Sequence, residues 1–313
     1  MKKAFIFPGQ GSQKVGMVKD LYDSYAVVRE LFEEADDALG FSLTKLCFEG
    51  PDEELMKTFN TQPAILTAST ACSRVLKQEG FEGDIVAGHS LGEYSALVAA
   101  GSLSFADAVR TVRKRGQYMQ EAVPLGEGSM AAILGLDSDK VVSICSEVQK
   151  TAGPVQAVNF NCPGQIVIAG AAGAVKAAAA ALKEGGAKRA MLLHVSAPFH
   201  STLMEPAAVR LQAALDEITV ADAAIPVVAN VDGKIEYKGE QIKPALVRQA
   251  ANPVLWVDCV KTMVEFGATV FVEVGPGKVL TGFNRKIDRS IHSENVEDLA
   301  SLQKVLEFLQ GVS

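Results

Sequence analysis

The serine of Gly88-His89-Ser90-Leu91-Gly92 is the residue in this chain best suited to attack a carbonyl carbon. The five residues satisfy Gly-x-Ser-x-Gly. They follow the short apolar run Ile85-Val86-Ala87 and precede a helix-forming segment that ends in Ala99-Ala100-Gly101. Small residues on both sides of the serine let the backbone turn sharply from strand to helix, which lifts the hydroxyl above the sheet edge. A glycine-rich turn without chemistry would read the same over five residues, but strand, elbow and helix stand here in the order a nucleophile needs. A serine hydroxyl is a weak nucleophile until a base accepts its proton, and the chain offers four histidines. His89 adjoins the serine and should point away from it. His194 falls in the strand-like run Met191 to Val195, where a satisfied core or edge histidine is expected, and His292 lies in a polar, loop-like stretch near the end. His200, in Pro198-Phe199-His200-Ser201, comes where the chain leaves a strand and begins the helix Thr202 to Glu217, so position makes it the leading candidate base. No carboxylate third member is identifiable, and a main-chain carbonyl can orient an imidazole equally well.

Helix geometry brings an arginine toward the serine. At about 1.5 Å per residue the helix after Ser90 climbs roughly 16 Å to Gly101, whose glycine suits a left-handed cap. Ser104 and Asp107 resemble a capping box for a second helix. If that helix returns antiparallel, Arg115 lies roughly 16 Å along it and is level with Ser90, whereas Arg110 and Arg113 stop short. An arginine there can grip a carboxylate through two parallel hydrogen bonds. The same basic run also reads as a solvated helix face. The loop Phe7-Pro8-Gly9-Gln10-Gly11-Ser12-Gln13 fits neither phosphate-loop pattern, since Lys14 stands where a third glycine would and no Gly-Lys-Ser/Thr follows. As a loop at the end of a neighbouring strand it can instead offer an oxyanion a backbone N–H, with the Leu91 N–H as second donor. Gly275-Pro276-Gly277-Lys278 reads as a turn with a helix start.

The elements that position these residues alternate. Ala4 to Phe7, Asp84 to Ala87, Pro226 to Ala229 and Thr269 to Val274 are short, apolar and β-branched, with longer amphipathic segments between them, the pattern of an α/β fold with a mainly parallel sheet. One intervening helix is expected from Pro63 to Glu79, capped by Thr61 with Pro63 in its first turn. Residues 129 to 195 break this rhythm with the order β, α, β, β, α, β, the ferredoxin-like arrangement. The expected organisation is therefore a large α/β-hydrolase-like domain of residues 1–127 and 197–313, with a small ferredoxin-like domain, 128–196, inserted. The alanine-rich run Ala177 to Ala181 should form a tightly packed helix face.

With 313 residues, 48% hydrophobic and 21% charged, the chain has the composition of a globular protein with a large core. No run approaches the roughly 20 apolar residues of a membrane helix, and Pro8-Gly9 stops the brief apolar start, so a cytoplasmic protein is expected. The five cysteines are odd in number and scattered, and read as reduced, mostly buried thiols. The formal charge of -7 argues against general nucleic-acid affinity.

Taken together, Phe7 to Gln13, Thr61-Gln62-Pro63-Ala64, Gly88-His89-Ser90-Leu91-Gly92-Glu93, Arg115-Gly116 with Met119, Asn159-Phe160-Asn161, Ala197-Pro198-Phe199-His200-Ser201 and Glu273-Val274-Gly275-Pro276-Gly277 resemble the malonyl-CoA:acyl-carrier-protein transacylases. The blocks run through almost the whole chain in family order. The resemblance implies Ser90 as the acylated nucleophile, His200 as base, an oxyanion hole of the Gln10 and Leu91 amides, and Arg115 as partner of the malonyl carboxylate. It further implies that the main-chain carbonyl of Gln249 holds the histidine and that His89, Asn159 and Asn161 support the pocket wall. In the similar acyltransferase domains of polyketide synthases, a Phe before the base histidine goes with malonyl and a Ser with methylmalonyl, so Phe199 implies malonyl. The implied chemistry is ping-pong transfer from malonyl-CoA to the phosphopantetheine thiol of an acyl carrier protein for fatty-acid synthesis, with no bound cofactor, no metal and no membrane or nucleic-acid partner. A monomer is expected. Carrier proteins are generally acidic, which makes Arg285, Lys286 and Arg289 a candidate docking patch, though they also read as a solvated face. Three other readings stay open: an acyltransferase serving a polyketide synthase, a serine esterase or thioesterase, and a non-catalytic carrier-binding module.

Overall fold

The computed structural model describes residues 1–193, 195 and 197–312. His194 and Ser196, the latter at the expected domain junction, lie outside the described residues. Ten strands are described: β1 (Lys2–Phe7), β2 (Ile85–Gly88), β3 (Gly128–Leu134), β4 (Val155–Cys162), β5 (Gln165–Ala171), β6 (Arg189–Leu192), β7 (Val227–Val228), β8 (Ile235–Glu236), β9 (Ala268–Val274) and β10 (His292–Val296). Six form one sheet in the order β10-β9-β1-β2-β7-β8, parallel throughout except for β8 against β7. The expected mainly parallel sheet is present. Its inner strands are apolar on both faces because helices cover both: Phe5, Phe7 and Val86 pack under the helices Thr58–Gln78 and Gly92–Ala99, while Ala4, Ile6 and Ala87 meet Trp256, Val260 and Met263.

The remaining four strands make an antiparallel sheet in the order β4-β5-β3-β6, and the β, α, β, β, α, β order read from the sequence is present. Period-two alternation divides the residues of β3 and β5, and register shifts interrupt it in β4. Ala131, Ile133, Ile166 and Ile168 face the helices Ser138–Ala152 and Ala172–Glu184. Met130, Val158, Val167 and Ala169 face the other way and pack with Met119, Phe199 and Met204 of the large sheet's half. This second face becomes one wall of the cavity described below.

Three local expectations are corrected. The helix expected from Pro63 begins five residues earlier, at Thr58, so Thr61 and Pro63 are interior; the cap position is Lys57. A proline inside a helix frees the carbonyl four residues back, and here that oxygen, of Phe59, accepts from Arg113 Nη1 at 3.2 Å. Thr61 instead donates its hydroxyl to Leu55 O at 2.6 Å. His292 is not in a loop: it opens β10, an edge strand whose polar residues hide its β character. Of Ala177 to Ala181 only Ala178 is buried, so the run is half a packed face and half a solvated one. All five cysteines are free and buried. Among the described residues no helix is long and apolar enough to cross a membrane.

Candidate active site

The loops leaving β1 and β2 are packed against each other with no room for a side chain at Gly9, Gly88 or Gly92. A Cβ on Gly88 would lie 1.9 Å from the carbonyl group of Gly92, and one on Gly92 would lie 2.1 Å from Phe7 O. This closeness forces the elbow: β2 ends at Gly88, the helix Gly92–Ala99 starts four residues later, and Ser90 between them takes φ 53. A left-handed residue other than glycine costs on the order of 1–3 kcal/mol and persists only where its surroundings over-determine it. Here they do. Ser90 N donates to Asn230 Oδ1 at 2.7 Å, Asn230 Nδ2 donates to Gly88 O at 2.7 Å, and Gln249 Nε2 donates to Ser90 O at 2.9 Å.

His200, also left-handed at φ 63, places Nε2 2.7 Å from Ser90 Oγ and Nδ1 2.8 Å from the main-chain oxygen of Gln249. A carbonyl only accepts, so Nδ1 carries the ring proton and Nε2 presents its lone pair to the serine hydroxyl. Burial, aided by the positive charge of Arg115, pushes the imidazole down to about 3. The folded protein therefore binds this proton less readily than the unfolded chain, whose histidine takes it up near 6.5. Stability from this group is complete above that value and drains away as the pH falls toward 3. The expected result is a histidine that stays neutral, and a serine acylation rate without a histidine limb, on going below pH 6.5; an NMR titration of the His200 ring with a midpoint near 6.5 would contradict it.

The antiparallel helix pair is as the spacing predicts. Gly101 is left-handed at φ 73, and Ser104 Oγ accepts from Asp107 N at 3.1 Å to start the helix Phe105–Glu121. Arg115 returns to the level of Ser90, 1% exposed rather than on a solvated face. Its Nη2 donates to Ser90 Oγ at 3.1 Å and to Gln249 Oε1 at 2.9 Å, and Nη1 donates to Gln62 Oε1 at 2.9 Å. With one Oγ lone pair occupied by Arg115, the hydroxyl proton is directed to His200. Arg115 Nε is buried and has no hydrogen-bond partner among the described residues.

These groups open on a cavity of about 130 Å³ lined by Gln10, Gln62, His89, Ser90, Leu91, Arg115, Asn159, Phe199 and His200, with Met130 and Val167 of the small sheet opposite. The amides of Gln10 and Leu91 have no acceptor among the described hydrogen bonds, and Leu91 begins the elbow helix, where the N-terminal dipole favours negative charge. His89 turns its Nε2 away from the serine, 2.8 Å from Asn161 Oδ1. Asn159 faces the cavity from β4 with a buried, unpartnered Oδ1. All ten residues singled out from the sequence are thus gathered here, Asn161 and Gln249 through the neighbours they bond. Three more were missed. Gln62 stood in a quoted motif without a role. Asn230 follows a core strand, the one cue it offered. Glu93 is buried in a helix otherwise apolar or small, and burial raises its carboxyl to about 7 against the hydrogen bonds from Asn230 and Gln249.

Comparison with known proteins decides the family. The acyl transferase domain matches residues 4–305. The chain belongs to the acyl transferase family. Among relatives of this acyltransferase, the malonyl CoA-acyl carrier protein transacylase of Bacillus subtilis (strain 168) is 48% identical over 309 residues, covering 99% of this chain and 98% of that protein. Among solved structures, the acyl-carrier-protein S-malonyltransferase of Burkholderia pseudomallei superposes with a TM-score of 0.95 at 52% identity, covering 98% of this chain and all of that one. A malonyl-transacylase in complex with a type II PKS acyl-carrier protein gives the same TM-score at 49% identity, over 98% of this acyltransferase and 99% of that chain.

Proposed function

We propose that this acyltransferase moves the malonyl group of malonyl-CoA to the phosphopantetheine thiol of an acyl carrier protein, through a malonyl ester on Ser90. One observation carries the choice of acyl group: a buried guanidinium, Arg115, hydrogen-bonded to the nucleophile itself at 3.1 Å. In the first half-reaction Ser90 Oγ attacks the thioester carbonyl as His200 Nε2 takes its proton. The oxyanion falls to the amides of Gln10 and Leu91, and the C–S bond breaks as the imidazolium returns the proton to the CoA sulfur. Forming the ester removes the hydroxyl from the Arg115 network, so one Nη2 N–H is released and joins the unpartnered Nε–H as a donor. They match the two oxygens of the malonyl carboxylate. In the second half-reaction the carrier thiol loses its proton to His200 and attacks the ester, and Ser90 regains its hydroxyl. Phe199 beside the base fills the space an α-methyl group would need.

We read the large half, 1–127 and 197–313, as α/β-hydrolase-like on the strength of its elbow, and the inserted 128–196 as ferredoxin-like, since its strand order and its two helices on one face follow that plan. Supply of fatty-acid synthesis in the cytoplasm is the reading we adopt, with free, unpaired cysteines in keeping. A second reading, service to a polyketide carrier, is favoured by the relative solved with a type II PKS acyl-carrier protein. Arg285, Lys286 and Arg289 are exposed and remain our docking patch for an acidic carrier.

Intact-mass analysis after exposure to malonyl-CoA tests the proposal. A long-lived malonyl adduct on Ser90 that passes to a carrier thiol is expected. Rapid loss of the adduct to water would mark an esterase instead.

A further inference from the structure

We propose that Glu93 is a positioning residue for acyl selectivity: it fixes which end of the Gln249 carboxamide faces Arg115, and so holds the guanidinium ready for the substrate carboxylate. The inference rests on the reading of Arg115 given above. The two ends of a carboxamide are nearly equal in size, so only hydrogen-bond partners set its orientation. Gln249 Nε2 lies 3.0 Å from Glu93 Oε2 and 2.9 Å from Ser90 O, both acceptors. Its Oε1 is then the end presented to Arg115 Nη2, at 2.9 Å. Turning the amide over would set oxygen against two oxygens and NH₂ against a guanidinium.

Glu93 is suited to this work by what it bridges. Its Oε2 also accepts from Asn230 N at 2.9 Å, so one oxygen ties the elbow helix, the turn after β7 and the helix Gly239–Ala251 behind the nucleophile. The ionisable groups around it are Arg115 on the arginine-bearing helix, Asp232 in that turn, Glu236 on β8, neighbouring Tyr94, and Cys259 on the helix Trp256–Glu265. Arg115 is the one cation among them. Both bonds end on Oε2, so a proton taken up by Oε1 near neutral pH leaves the positioning intact, and an amide oxygen in place of Oε2 would serve as well.

The test compares malonyl and acetyl transfer by the full-length enzyme from the corresponding CoA thioesters. Glu93→Met removes the acceptor at similar length and should lower the malonyl-to-acetyl ratio by about tenfold through malonyl KM, the equivalent of one charge-assisted hydrogen bond. Acetyl transfer should stay within about threefold, and Glu93→Gln should keep the ratio within about twofold of the parent. An unchanged ratio in Glu93→Met, equal losses for both substrates, or a Glu93→Gln as impaired as Glu93→Met would overturn the proposal. Should Glu93→Met not fold, Gln249→Met decides by the malonyl-to-acetyl ratio alone, because it keeps the main-chain carbonyl that holds His200 and removes the relay, while loss of the bond to Ser90 O lowers both rates. If Arg115→Ala also left the ratio unchanged, the carboxylate reading itself would fall; if Arg115→Ala lowered it and Glu93→Met did not, only the positioning role would.

Discussion

Replacing Ser90 with alanine should abolish malonyl transfer, by roughly 10⁴- to 10⁶-fold, and remove the acyl adduct altogether. The loss is so large because, among the described residues that line the cavity, Ser90 alone carries a hydroxyl or thiol that can hold the acyl group between two thiols. Without it, His200 can at best deprotonate a water or the incoming thiol, and the oxyanion donors are left to act on an unanchored thioester. The substitution should leave the fold alone. Alanine adopts φ 53 no less readily than serine does, and the bonds that hold the elbow run through Ser90 N and Ser90 O, which alanine keeps. A melting temperature within about 4 °C of the parent is expected, the scale of the two side-chain hydrogen bonds lost with Oγ in a chain of this size. Transfer surviving at more than about a hundredth of the parent rate would place the nucleophile elsewhere.

The elbow was legible in the sequence because its chemistry and its geometry make the same demand on residue type. Gly88 and Gly92 are glycines for want of space, as the 1.9 Å and 2.1 Å approaches of a hypothetical Cβ show. Arg115 was legible because two helix lengths and a capped connection place it by arithmetic. The core-helix start was not, because Pro63 is the residue type of a first turn, and only the tertiary partner Arg113 makes its interior position tolerable. β10 escaped for a related reason: an edge strand needs no apolar run, so His292-Ser293-Glu294-Asn295 looks like a loop. The layer beneath the site, Asn230, Glu93 and the side chain of Gln249, is joined by bonds spanning more than a hundred residues or lying on separate elements. No local spacing encodes such pairs, whereas a charged residue in an apolar helix, as at Glu93, is a cue that composition alone can supply.

Arg115→Ala should cut malonyl transfer by about 10²- to 10³-fold while acetyl transfer falls by no more than about tenfold, the difference expected when one member of a buried, hydrogen-bonded ion pair is removed. The contrast is the informative quantity. An acetyl group has no carboxylate, so it loses only the donor that polarises Ser90 Oγ, whereas malonyl loses that donor and is left with an uncompensated charge in a cavity of about 130 Å³. Truncation also strands two acceptors, Gln62 Oε1 and Gln249 Oε1, which argues for some loss of stability and makes the ratio of substrates a better measure than either rate. Arg115→Lys separates charge from geometry. A lysine ammonium keeps the positive charge but cannot offer two parallel N–H groups to a carboxylate while still reaching Gln249 and Gln62. It should therefore recover part of the malonyl rate and little of the selectivity. Equal losses for malonyl and acetyl in both variants would mean that the guanidinium only braces the helix pair, and the choice of acyl group would then have to be made by the shape of the cavity around Phe199.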